Sequence, residues 1–410
     1  MDAVHLFPPT GPVRATIQLT SSKSESNRAL IINALTGFRG TLHNVSAARD
    51  TQTMIRLLQS EDPVADVLDA GTTMRFLTAY FAVTGQHKTL TGTPRMCERP
   101  IGILVDALRV LGADIAYLKN EGYPPLVTRG FAQTETNRVA VRGDVSSQYI
   151  SALLMVGPLL PNGLELELTG EVGSRPYIEM TLKQMEAFGV KASADWTSNT
   201  ISVPAAAYTP TEYAVESDWS GASYWYSIAA LAQEGSELEL LGLKELSLQG
   251  DSAIADIMRP LGVESTFFPG GVRLTKIPAQ TSLAWDFTHC PDLAQTVAVC
   301  AAMKQIPLTL TGIESLKIKE TDRVAALQNE LKKIGAELAE VKPDEEYVVR
   351  TDESQSTADE SVPRIATYDD HRMAMAFAPV SLRHEIIIEE PGVVAKSYPK
   401  FWEDLSLIKS

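Results

Sequence analysis

Cysteine is scarce in this chain. Three residues, Cys97, Cys290 and Cys300, are odd in number and lack CxxC spacing. Such a set builds neither a disulfide framework nor a structural zinc site, and it suits a reducing cytoplasm. Six histidines lie far apart with no pair at i, i+4, so no metal site is expected. No apolar run reaches the ~18 residues that a membrane helix needs. The longest candidate, 149–160, stops at Pro161 and reads as a buried helix. The first residues carry no basic stretch ahead of an apolar core, so no secretory leader is expected. Walker A, GxGxxG, HExxH and Ser-His-Asp patterns are all missing. Positive charge is also short, with 36 Lys and Arg against 51 Asp and Glu, a net charge of −15. That balance makes a poor nonspecific partner for nucleic acid or an anionic membrane. Small anionic substrates remain possible only if the few cations are gathered in one place.

What is present is ordinary for a folded chain: 44 % apolar and 21 % charged residues. The 410 residues exceed one core and imply two or three domains. A helix–Gly–strand–turn–strand pattern recurs in LRVLGADIAYL, MEAFGVKASAD, MRPLGVESTFF and LKKIGAELAEV. Its glycines, Gly112, Gly189, Gly262 and Gly335, are spaced 77, 73 and 73 residues apart. Gly after a helix fits a left-handed C-terminal cap, and the alternation that follows fits half-buried strands. The period is too long for a solenoid and points to a supersecondary unit used several times. The polar stretch 352–360 reads as a surface loop.

Six apolar helices open on small, hydroxylated or acidic residues: at Ser21–Ser24, Gly71–Thr73, Ser146–Ser147, Asp218–Gly221, Pro291–Asp292 and Asp369–Asp370. Each start fits N-capping. Several also carry a cation or an acid in the first turn, and helix N-termini add free N–H groups and a partial positive charge. Lys23 lies in the loop or first turn and Arg28 more than one turn further along, beside hydroxyls, a combination suited to phosphate and carboxylate. The same grammar appears around Arg75, Arg99 and Arg175. Lys319, Glu320 and Arg323 precede an amphipathic helix that Thr321 or Asp322 could cap. Asp292 follows Pro291 at a helix start, and Lys396 lies past what reads as a Gly-Val-Val strand end.

The strings SKSESNRAL, DAGTTMRFL, RMCERPIGILVDAL, GDVSSQYISALLM, SRPYIEMTL, PDLAQTVA, IKETDRVAAL, DDHRMAMAF and AKSYPKFW occur in this order from about residue 20 to 402. On them the chain resembles the 5-enolpyruvylshikimate-3-phosphate synthase family of enolpyruvyl transferases. The resemblance implies an α/β fold, a two-lobed inside-out α/β barrel with three βαβαββ-type units per lobe. The first unit is shortened here, because MIRLLQSEDPV runs straight into VLDAGTT. One lobe is expected over 21–215, and the other is assembled from 1–20 and 216–410, with the active site in the cleft between them.

The implied reaction transfers the enolpyruvyl group of phosphoenolpyruvate to the 5-hydroxyl of shikimate 3-phosphate and releases phosphate. It needs no metal or cofactor. The expected partners are these two small molecules alone, for a cytoplasmic monomer. Carried over by motif, Lys23, Ser24 and Arg28 would hold shikimate 3-phosphate, with Ser146, Ser147 and Ser174 on its phosphate. Gln148 would touch both substrates, Tyr177 would pack on the ring, and Lys319 would contact the shikimate side. Arg99, Arg323, Arg372 and Lys396 would clamp phosphoenolpyruvate, with backbone from Gly71. Asp292 would take the hydroxyl proton and Glu320 would serve at C3, with Lys23 reaching the enolpyruvyl side. Asp69 and Phe76 depart from the family pattern. They raise the expectations of an extra negative charge near an anion site and of a shifted helix start under Gly71. The alternatives are UDP-N-acetylglucosamine enolpyruvyl transferase, disfavoured because Cys97 lies in RMCERP, and a non-catalytic anion-binding scaffold.

Overall fold

The computed structural model describes residues 2–132, 134–351 and 362–408, so the polar stretch 352–360 lies outside the described residues. The chain divides into two compact units, Met1–Ser22 with Glu216–Ser410, and Lys23–Val215. Each has its own apolar core. The two passages of the discontinuous unit's chain are paired with each other. Ser21 bridges Ser217, the Ser22 amide donates to the Glu216 carbonyl at 2.8 Å, and the Asp218 amide donates to the Thr20 carbonyl at 2.8 Å.

β1 (Ala3–Leu6) and β2 (Arg14–Gln18) open the discontinuous unit. The continuous unit starts with α1 (Lys23–Leu35), β3 (Thr41–His43) and α2 (Arg49–Gln59). Next come β4 (Val64–Asp66), α3 (Gly71–Val83), β5 (Lys88–Thr91), α4 (Pro94–Cys97), α5 (Gly102–Leu111), β6 (Ala113–Tyr117) and β7 (Leu126–Phe131). Then follow β8 (Arg138–Arg142), α6 (Ser147–Val156), β9 (Leu164–Thr169), α7 (Arg175–Ala187), β10 (Ser193–Asp195), β11 (Thr200–Val203) and β12 (Glu212–Ala214). The return to the discontinuous unit brings α8 (Trp219–Leu231), β13 (Glu237–Leu241), α9 (Ile254–Met258), β14 (Val263–Phe268) and β15 (Gly271–Lys276). After these come β16 (Leu283–Asp286), α10 (Ala294–Met303), β17 (Leu308–Thr311), α11 (Arg323–Lys332), β18 (Ala336–Lys342) and β19 (Glu346–Thr351). The last elements are β20 (Arg364–Ile365), α12 (His371–Phe377), β21 (Ile386–Glu389) and α13 (Phe401–Ser406).

Four sheets share one plan. Their orders are β4-β5-β7-β6, β8-β9-β11-β10, β2-β13-β15-β14 and β16-β17-β19-β18. In each, the first two strands are parallel and a hairpin pairs back antiparallel on the second; a single helix joins the parallel pair in three of the sheets, whereas between β2 and β13 the chain runs through the whole continuous unit before α8. This is the βαβαββ unit anticipated from the glycine repeat. The four repeat glycines sit where the second helix ends, at φ of 115°, 86°, 95° and 75° for Gly112, Gly189, Gly262 and Gly335. A side chain there would be strained, so the turn into the hairpin calls for glycine. Strand alternation is clear in β9, whose Leu164, Leu166 and Leu168 are buried while the glutamates between them are partly exposed. α3, α8 and α10 are apolar on nearly every face and almost wholly buried, as a helix enclosed by other elements must be.

Two units are incomplete. β12 and β3 form a parallel two-stranded sheet, and α2 passes directly into β4 with no hairpin. Among the described residues, the unit around α12 has only the parallel pair β20 and β21. Its missing antiparallel strand is supplied by β1, in register from Ala3 against Glu389 to Leu6 against Ile386. The expected shortening of the first unit is present, and the last unit departs from the plan as well, taking a strand from the start of the chain. The physical reason is that an open β21 edge would leave a row of unpaired backbone groups.

Two local expectations also change. Gly392 to Val394 is not a strand end but part of a 3-10 helix, Pro391–Lys396, which delivers Lys396 to a buried position. Side-chain capping holds for α6 (Ser146), α8 (Asp218) and α12 (Asp370), but α3 and α10 begin after Ala70 and Leu293, which provide no side-chain cap. The helix under Gly71 is not shifted: Gly71 is its first residue, and Phe76 is fully buried beneath the Arg28 guanidinium.

Candidate active site

In the continuous unit the cations gather at helix starts. Lys23 is the first residue of α1, and its Nζ donates to Asp50 Oδ2 at 3.0 Å. Asp50 is 2 % exposed, and its Oδ1 has no hydrogen-bond partner among the described residues. Arg28, five residues further along α1, is buried. Its guanidinium donates to Thr181 Oγ1 at 2.8 Å, Ser151 Oγ at 3.0 Å and the Ser24 carbonyl at 2.9 Å, and it lies over the rings of Phe76 and Tyr177. This one side chain thus ties α1 to α3, α6 and α7. Among the described residues no carboxylate pairs with it. Burial pulls its pKa down to about 10, with Tyr177 and Glu25 opposing from longer range. A buried cation without a counter-ion is costly, and a dianionic ligand would offset that cost.

Gly71 starts α3 between two guanidiniums. A Cβ built there would lie 2.6 Å from Arg75 Nη1 and 2.9 Å from both terminal nitrogens of Arg99. Arg75 donates to the Gly71 and Pro100 carbonyls, each at 3.0 Å, and so binds the start of α3 to the turn that carries Arg99. Gln148 Nε2 donates to Thr72 Oγ1 at 3.0 Å, which places the start of α6 beside that of α3. Ser146 caps α6 and is exposed, Ser147 is buried, and Ser174 precedes α7 at a left-handed φ of 52°. The charge of Asp69 is met by Arg49, whose Nη2 lies 3.1 and 2.9 Å from its two oxygens. The expected extra negative charge is therefore largely neutralised locally.

The second cluster belongs to the discontinuous unit and centres on Arg323, the first residue of α11. The Asp322 side chain caps this helix by accepting from the Ala325 amide at 3.0 Å. The Arg323 guanidinium, 2 % exposed, holds three carboxylates: Asp370 at 2.6 Å, Glu320 at 2.7 Å and Asp292 at 2.9 Å. Arg372 Nη2 takes the other oxygen of Asp292 at 2.7 Å, and Lys396 Nζ lies 3.2 Å from Glu320 Oε1. Lys319 Nζ stands 4.0 Å from Asp292. Four cations thus surround three acids. Burial alone would raise the Asp292 pKa, but Arg372, Lys319 and Arg323 outweigh it and hold the carboxyl well below its usual range. Burial would lower the Arg323 pKa, but Asp370, Glu320 and Asp292 raise it, so the guanidinium stays charged.

The candidate residues therefore assemble in two groups. Lys23, Arg28, Gly71, Arg99, Gln148 and Tyr177 lie along the helix starts of the continuous unit, with Ser24, Ser146, Ser147 and Ser174 on the same starts. Asp292, Lys319, Glu320, Arg323, Arg372 and Lys396 form one network in the other. The residue reading gave no site role to Asp50, Tyr224 or Asp370, and noted Arg75 only as part of the anion-suited pattern. Asp370 is fully buried, donates nothing to the surface, and accepts from both Arg323 and the Arg372 amide. Its signal was visible in the DDHR string, where only the arginine was assigned. Tyr224 lies within helix α8 as one apolar-looking residue among many, and only the fold brings its hydroxyl to 3.5 Å from Arg372 Nη1.

The model of the EPSP synthase (3-phosphoshikimate 1-carboxyvinyltransferase) family matches residues 58–405. A protein of Bacteroides fragilis named 3-phosphoshikimate 1-carboxyvinyltransferase is 50 % identical over 404 residues, covering 98 % of this chain and 97 % of its own.

The chain belongs to the EPSP synthase family.

Proteins of the same name from Cellvibrio japonicus and Ralstonia pickettii are 37 % and 39 % identical, over 98 % and 96 % of this chain and the same shares of their own. An EPSP synthase structure from Acinetobacter baumannii superposes with a TM-score of 0.75 at 19 % identity, covering 99 % of this chain and 98 % of that one, which establishes a shared α/β fold. No helix among the described residues is long and apolar enough to cross a membrane.

Proposed function

We propose that this chain transfers the enolpyruvyl group of phosphoenolpyruvate to the 5-hydroxyl of shikimate 3-phosphate and releases phosphate. The observation that carries the reading is the Arg323 network: two acids, Asp292 and Glu320, held on one buried guanidinium, with Arg372, Lys319 and Lys396 around them. Addition followed by elimination needs one group to take a hydroxyl proton and another to protonate C3, and cations to cancel the repulsion of two polyanions. The family of the relatives named above supports the substrate pair.

In this reading, Arg28, whose buried charge has no carboxylate paired to it among the described residues, holds shikimate 3-phosphate together with Lys23, Ser24, Ser146, Ser147 and Ser174. Gln148 touches both substrates, Tyr177 packs on the ring, and Lys319 contacts the shikimate side. Arg99, Arg372 and Lys396 bind phosphoenolpyruvate with backbone from Gly71. Three of Arg323's five N–H directions are already taken by carboxylates, so it acts chiefly as the strut that sets the distance between the acids. Asp292 is a weak base while Arg372 binds it. When an anionic substrate draws Arg372 away, one of its main cations is lost and its basicity rises. Glu320 delivers the C3 proton and takes one back in elimination, with Lys396 beside it. The positive groups do this work without a metal or cofactor, in a cytoplasmic monomer. The accompanying architecture is the inside-out α/β barrel of two lobes, each made from three related units.

Mixing the two substrates with the purified chain and following phosphate release tests the reading. Release that depends on both substrates is the expected result. A folded protein that releases none would leave the scaffold reading instead, and release with UDP-N-acetylglucosamine as acceptor would favour the other transferase.

A further inference from the structure

At the far end of the discontinuous unit lies an open concavity of about 870 Å³. It is lined by Lys304, Arg383, His384, Gln280, Met303 and Ile306, among others. Lys304 directly follows the last residue of α10, whereas Asp292 lies in the 3-10 turn, Pro291–Leu293, that leads into its first residue. Ten helical residues, about 15 Å, therefore separate this place from the Arg323 network.

Cations at helix C-termini are commonly caps, and part of this cluster is explained so. Lys304 Nζ lies 3.3 Å from the Ala230 carbonyl and Lys276 Nζ lies 2.6 Å from the Ala232 carbonyl, both at the end of α8. Capping does not account for the rest. Among the described residues the Arg383 guanidinium and the His384 ring have no hydrogen-bond or ion-pair partner, although the chain is strongly acidic. The nearby acids are otherwise engaged. Glu234 lies 3.6 Å from Lys276, and Glu385 pairs with His5 at 2.5 Å. Burial is the main cause that lowers the Lys304 pKa; Cys300 opposes it, and Lys276 and Arg383 lower it further. Positive groups are thus crowded into a concavity whose floor, Met303 and Ile306, is apolar.

We propose that this concavity is a second small-molecule site, taking an organic carboxylate whose acid group lies among Lys304, Arg383 and His384 and whose apolar body rests on Met303 and Ile306.

Lys304 itself reports occupancy at this place alone. The whole chain is treated with a limiting acetylating ester, and the rate at Lys304 is read by peptide mass spectrometry, with phenylacetate as the probe. For a ligand of about ten heavy atoms Kd is about 1 mM, so about 4 mM probe slows Lys304 acetylation about fivefold. Arg383→Glu, an exposed change, removes that protection while phosphate release stays at the unsubstituted rate. Lack of protection, or equal protection in Arg383→Glu, overturns the proposal. Protection by inorganic phosphate as strong as by phenylacetate also overturns it, because a bare oxyanion site would then suffice.

Discussion

Replacing Gly71 by alanine tests the proposed phosphoenolpyruvate contacts through a single methyl group. Gly71 is not in the left-handed region, so alanine brings no backbone strain there, and within a helix it gains about 0.5–1 kcal/mol over glycine. The new Cβ would nevertheless stand 2.6 Å from Arg75 Nη1 and 2.9 Å from Arg99 Nη1 and Nη2. Restoring ordinary contact requires the guanidiniums to retreat by about 0.5–1 Å. Arg75 is held by the Gly71 and Pro100 carbonyls and lies over the Tyr149 ring at 5.6 Å, so Arg99 takes much of the shift. A charge-assisted hydrogen bond contributes about 1.5–3 kcal/mol, and weakening one without breaking it loses about 1–2 kcal/mol. The KM for phosphoenolpyruvate should then rise about 5- to 30-fold. KM for shikimate 3-phosphate and the thermal midpoint should change little. The assay is initial-rate phosphate release with phosphoenolpyruvate varied at saturating shikimate 3-phosphate. An unchanged KM for phosphoenolpyruvate in a folded variant, or an equal rise for both substrates, would refute the placement of Arg99.

Glu320→Gln keeps the shape and the contact with Arg323 but removes the proton; kcat should fall about 10²- to 10⁴-fold with substrate binding retained in equilibrium dialysis, and a near-normal kcat would remove its acid/base role. Asp370→Asn leaves a buried Arg323 short of its shortest ion pair, so urea unfolding should show a loss of about 3–5 kcal/mol; a loss below about 1 kcal/mol would mean Asp370 is not a structural anchor of the network. Asp292 has a depressed folded-state pKa, so its contribution to stability is complete above the ordinary carboxylate range and is lost as pH falls through the folded value. The urea midpoint should accordingly drop more steeply from pH 6 to pH 3 in the unsubstituted chain than in Asp292→Asn, and parallel curves would contradict the assignment.

Reading of the sequence alone went far where the signal was local. The four repeat glycines marked where helices end, because a left-handed turn is a property of one residue's backbone. The helix starts at Lys23, Gly71, Ser147 and His371 were legible from short strings of small and polar residues. The Gly-Val-Val segment before Lys396 misled, since three apolar residues fit a strand or a 3-10 turn equally well. Capping at α3 and α10 misled too, because tertiary packing can satisfy a helix start without a side-chain cap.

Periodicity and turn residues thus marked the repeated helix–strand unit, and the resemblance of short motifs to a known family picked out the cations and acids proposed to carry the chemistry. Other features came only with the three-dimensional packing. β1 completes the last sheet from the opposite end of the chain, Arg28 is buried with no carboxylate paired to it among the described residues, and Arg323 gathers Asp292, Glu320 and Asp370 from three separate segments. The division has a physical cause. Backbone preference acts over a few neighbouring residues, whereas strand pairing, burial and the field felt by a charge depend on atoms tens to hundreds of positions away in the chain.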